Sequence, residues 1–131
     1  KIMNTTTDFQ KQQIMECYER LRKFVSDMDI EDENVYYDIR NMIEVKKIAL
    51  PTAVYKAMMN FMDQVVEPYV FEDTTEIFSE EEAKRNEKGI VEIKSEQAFQ
   101  KLMVRFMEKL SELDEKIEAF AERELKPYLE G

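Results

Sequence analysis

Residues 45–56 read VKKIALPTAVYK, and whether the chain runs on or turns back at Pro51 decides the architecture. Proline inside a helix lacks the N–H for one backbone bond and disfavours α geometry at the preceding residue, here Leu50. A tight reversal draws on Gly, Asn or Asp, and this stretch has none. The apolar phase also carries across the proline: Tyr36, Ile39, Ile43, Leu50, Val54, Met58, Phe61 and Val65 fall at helical intervals. The favoured reading is one kinked helix over 33–67, roughly 50 Å long at 1.5 Å per residue. Two helices packed separately on either side of Pro51 are the competing reading.

The flanks are read more simply. A first helix is predicted over 8–28, with Thr7 or Asp8 as N-cap and a seam of Ile14, Cys17, Leu21, Phe24 and Met28 widened by Tyr18 and Val25. A last helix is predicted over 95–126, ended by Pro127. Its Phe99, Met103, Phe106, Leu110, Leu113, Ile117 and Phe120 alternate steps of four and three, a regularity that asks for long helical partners. Pro68 closes the second element, and an irregular connection over 68–94 follows. There, Ser79 and Glu82 have capping-box spacing, so a short helix over 80–88 is expected, with Gly89 as its stop. The IVEI at 90–93 reads as an extended strap.

Composition agrees with helices. Two glycines and three prolines in 131 residues leave few turns, and 44% hydrophobic with 37% charged residues supports a folded chain. The expected fold is all-α, an elongated antiparallel helical bundle of three long helices, or of four if the chain splits at Pro51. It forms a single domain over 1–131. The chain opens on Lys1 rather than Met, so it is read as a piece of something longer.

Chemistry is sparse. With no histidine, imidazole triads and histidine-containing zinc sites are excluded, and the single Cys17 is expected to be a buried apolar group. No phosphate-binding loop or nucleophile motif is present. The expectation is a protein that is not an enzyme and binds no cofactor. A net charge of −10 argues against nucleic acid and favours basic partners. Lys101, Arg105 and Lys109, at four-residue spacing, read as a solvated basic face. No stretch is apolar enough to span a bilayer. A cytoplasmic location is expected, with an upstream anchor or signal left open.

Three stretches raise sharper questions. DMDIEDENVYYD at 27–38 has carboxylates at calcium-loop places, but Asp32 and Asn34 stand where an EF-hand needs Gly and an apolar residue. An interhelical turn with Asp29 or Asp32 as N-cap explains the run better. FMDQVVEPYV at 61–70 echoes FAERELKPYL at 120–129, either from a duplicated helix or from two helices of one bundle ending alike. In AMMNFMDQVV at 57–66, Met58, Met59, Phe61, Met62 and Val66 form an apolar girdle wider than one helix face needs. Core filling is its first reading. The alternative makes these five residues the contact surface for a protein partner, including a second copy in a two-fold dimer.

Three functions follow in order of preference. The first is a non-enzymatic helical protein–protein interaction or spacer domain, with the soluble part of a larger or membrane-attached protein as one form of it. The second is an acidic inhibitor or immunity-type protein occupying a basic partner site. The third is a small-molecule or metal-binding helical bundle.

Overall fold

The computed structural model describes residues 5–79 and 82–130. Helix α1 spans Asp8–Ser26 and opens on a capping box in which Thr7 and Gln10 exchange side-chain-to-backbone bonds of 3.0 Å. It ends two residues short of expectation because Met28 takes a left-handed conformation (φ 61°). The Asp29 N–H then reaches the Phe24 carbonyl and the Met28 N–H that of Val25, capping orphan acceptors of the last turn. The acidic run is the turn into α2 (Glu33–Val45), whose first amides at Asn34 and Val35 donate to the Asp32 carboxylate.

At Pro51 the chain turns back. Arg40 Nε lies 2.9 Å from the Asp63 carboxylate, and the Tyr36 hydroxyl donates to the Met62 carbonyl at 3.3 Å. In one continuous helix Arg40 and Asp63 would stand roughly 35 Å apart. The kinked-helix expectation is therefore corrected to a helical hairpin. No Gly, Asn or Asp is needed because no residue of the turn has a positive φ. Lys46 sits near ψ 0°, Lys47–Ala49 form a 3-10 turn, and Leu50 and Pro51 are extended, all open to ordinary residues. Lys46 ties the turn to α1 by donating to Gln13 and Glu16.

Helix α3 (Thr52–Phe61) passes through a π-turn (Met62–Val66) into α4 (Glu67–Val70), and these form one rod. Helix α5 (Glu96–Phe120) passes likewise through a π-turn (Ala121–Leu125) into α6 (Lys126–Leu129). Neither Pro68 nor Pro127 stops its rod. In an α-helix each proline ring would meet the carbonyl four residues back, Gln64 or Arg123. The wider turn removes that clash: the Glu67 N–H bonds the Met62 carbonyl and the Lys126 N–H that of Ala121, each five residues back. The sequence echo is thus a repeated backbone device. The two leading phenylalanines, Phe61 and Phe120, stack with centroids 4.4 Å apart.

The 68–94 connection differs from expectation. A 3-10 turn covers Thr74–Ile77, and in place of a helix over 80–88 the chain forms a hairpin of β1 (Ala83–Arg85) and β2 (Val91–Ile93). Glu80 and Glu81, where that helix was to begin, lie outside the described residues. Asn86 organises the turn: its side-chain oxygen accepts from Lys88 and Ile90, while Gly89 takes φ 78°.

The four rods alternate in direction, and the last packs back on the first. Tyr18 of α1 donates to Glu118 at 2.7 Å, and Tyr69 of α4 donates to Glu112 at 3.0 Å. Ile14, Leu21, Ile39, Ile43, Val54, Met58, Leu113 and Ile117 meet in the centre, all fully buried. The rods are unequal, and this positions the site. The α1–α2 turn reaches α5 at Lys109, through Glu31, and the end of α4 reaches it at Arg105, through Glu72. Residues 96–104 of α5 lie beyond both contacts.

Candidate functional site

Four of the five girdle residues are core: Met58, Phe61, Met62 and Val66 are buried within this chain, and Met59 is partly so. The π-turn explains why the girdle looked too wide. One extra residue in a turn moves the inward face on by one position, so the residue that enters the core one turn after Phe61 is Val66, five on, with Val65 only partly buried. As a surface offered to a partner, the girdle is left with Met59 alone in this conformation.

The exposed apolar surface is elsewhere. Phe99, Met103, Val104 and Met107 are 52%, 44%, 60% and 53% exposed. Phe99 and Met103 belong to the heptad seam that continues inward as Leu110, Leu113 and Ile117, which are buried. The seam is one; its cover is not. The hairpin side shields the opposite flank, where Ala98 is buried and Lys101 pairs with Glu82 at 2.7 Å. Nothing described lies over Phe99 and Met103 to the same degree.

Of the basic stripe of α5 only Lys101 is solvent-exposed, and Arg105 and Lys109 are not a solvated face. Lys109 is fully buried with its ammonium 2.9 Å from Glu31, and Arg105 grips Glu72 with two nitrogens. The guanidinium holds the Glu72 carboxyl below its ordinary range. These residues clamp turn and connection to α5, and a lysine stem suits that task because its methylenes pack while its tip finds a carboxylate.

A groove of about 420 Å³ opens between α3–α4 and α5–α6. Phe61, Val65, Pro68 and Ala119 supply its apolar lining. The Lys116 ammonium donates to the Tyr69 hydroxyl at 2.8 Å and lies 4.9 Å above the Tyr69 ring. Both π-turns contribute to the walls, Gln64 and Val65 from one and Arg123 from the other. The repeated Phe and Pro-Tyr were its only trace in the sequence.

Cys17 is buried, and burial pushes its thiol up to about 11, so it is an inert packing group at neutral pH. Among the described residues no three acidic or cysteine side chains converge as metal ligands, and no helix is long and apolar enough to cross a membrane. Comparison with protein-family models, curated protein sequences and solved structures found no match.

Proposed function

We propose that this chain is a non-enzymatic helical interaction domain whose binding surface is the projecting N-terminal half of α5. The observation that supports it is a core-type seam, in phase with buried Leu110 and Leu113, running out of the bundle as exposed Phe99 and Met103. Burying such side chains contributes about 1.5–3 kcal/mol each, so even three make a serviceable anchor for a partner helix. Methionines at 103 and 107 adapt to the shape of the incoming face. The partner that fits is an amphipathic helix with a basic flank, drawn by the −10 charge of the chain.

A photocrosslinking amino acid at Met103 tests the proposal in the source cell, with the same group at exposed Glu19 on α1 as control. The expected result is one discrete adduct from position 103, lost in a Phe99→Asp variant that keeps full helicity. Equal, diffuse labelling from both positions would remove the support for α5.

A further inference from the structure

We infer that the groove between the two π-turns binds a small apolar molecule carrying a carboxylate. The inference is independent of the α5 interaction surface and rests on how the groove distributes charge. Its lining includes Arg105, Lys116 and Arg123 against Glu72 and Glu112, a local excess of one positive charge in a chain of net charge −10. The carboxylates are engaged at one end: Glu72 by Arg105 and Glu112 by the Tyr69 hydroxyl and Arg105. Among the described residues no carboxylate lies within ion-pairing distance of the Lys116 ammonium, whose partner is the neutral Tyr69 hydroxyl. Arg123, in the π-turn that follows, lines the same groove, its guanidinium held only by an exposed contact with Glu124 at 3.2 Å. An anion bridging Lys116 and Arg123 therefore meets two cations that it need not win from buried acids.

The rest of the lining suits an apolar body. Val65 and Pro68 line the side of the groove that faces Ala119, with Phe61 between the two rods, stacked on Phe120. The volume is that of ordinary small-molecule sites. Because the π-turns are fixed by Pro68 and Pro127, the walls are set by the fold and not by the ligand.

The test is a titration of amide and methyl resonances with 4-phenylbutyrate, using 4-phenylbutylamine and 4-phenylbutanol as charge controls on one skeleton. Saturable shifts are expected at Val65, Tyr69 and Ala119 with the acid, and none with the amine. The Lys116→Gln and Arg123→Gln double variant should bind the acid about fivefold more weakly, as expected for two partly exposed charges. Both positions are exposed, so the variant retains the fold, and the unchanged spectrum of the remaining core verifies that. Met103→Lys, outside the groove, should bind as the parent does. Equal binding of acid and amine, shifts confined to α5 residues 99–107, or an affinity indifferent to the double variant would each overturn the inference.

Discussion

Two residues show how local chemistry departs from the helical pattern. Met28 fits the seam of α1 by spacing, yet it stands in the left-handed position that caps the helix, where a Cβ costs about 1–2 kcal/mol. Spacing alone could not reveal this, because Gly is the usual signal for such a cap and here it is missing. Met28→Gly is expected to stabilise the protein by about 0.5 kcal/mol, the relief being partly offset by the freer unfolded chain, while Met28→Ala leaves it unchanged. Urea denaturation of the three proteins measures both. Lys109 is the second case: its four-residue spacing with Lys101 and Arg105 was legible, its burial was not. Glu31→Gln leaves a buried ammonium with a weaker partner and is expected to cost about 2 kcal/mol, discounted because Glu31 is 40% exposed. Lys109→Met, which removes the charge itself, should stay within about 1 kcal/mol of the parent. Equal losses in the two variants would mean the pair is not held as a buried charge.

Among elements, the three-four periodicity marked the helical stretches, but it joined α2 and α3 into one rod and did not give the connections. The reversal before Pro51 uses only bridge, 3-10 and extended geometry, so it has no residue signature, and the apolar phase continues on both sides because both helices face one core. Of the hairpin at 83–93 the second strand was legible as an extended strap, while the charged first strand was hidden behind a helix-start pattern. The hairpin's stability rests on Asn86, whose side chain takes two backbone N–H bonds. In Asn86→Ala the amides of Lys88, Ile90 and Lys94 are expected to exchange about tenfold faster, with the global urea midpoint unmoved. Lys94 donates to Glu82 at 2.8 Å across the base of the hairpin and is the informative probe. A lowered midpoint would instead make the hairpin part of the cooperative core. The π-turns were legible only as an echo in the letters, since the pattern Phe…Pro-Tyr does not say that the intervening turn widens.

For the whole molecule, acid sensitivity follows from the Arg105–Glu72 clamp. Glu72 ionises below its ordinary value of 4.5 in the folded state, so its contribution is complete above that pH and is lost as pH falls through the depressed value. Glu72→Gln should flatten the fall of stability below pH 4.5, measured as the pH dependence of the urea midpoint. The all-α class was legible because composition and periodicity agree, whereas the exposure of Phe99 and Met103 was not, because sequence does not show which part of a seam its neighbours reach. Rods of unequal length bury Met58 and Met62 and leave Met103 and Met107 uncovered. The most direct measurement is the relaxation of methionine methyl resonances by a soluble paramagnetic agent. Strong broadening is expected at Met28, Met103 and Met107, with Met58 and Met62 protected. Met103 and Met107 protected as fully as Met62 would contradict the account, because the seam of α5 would then already be covered.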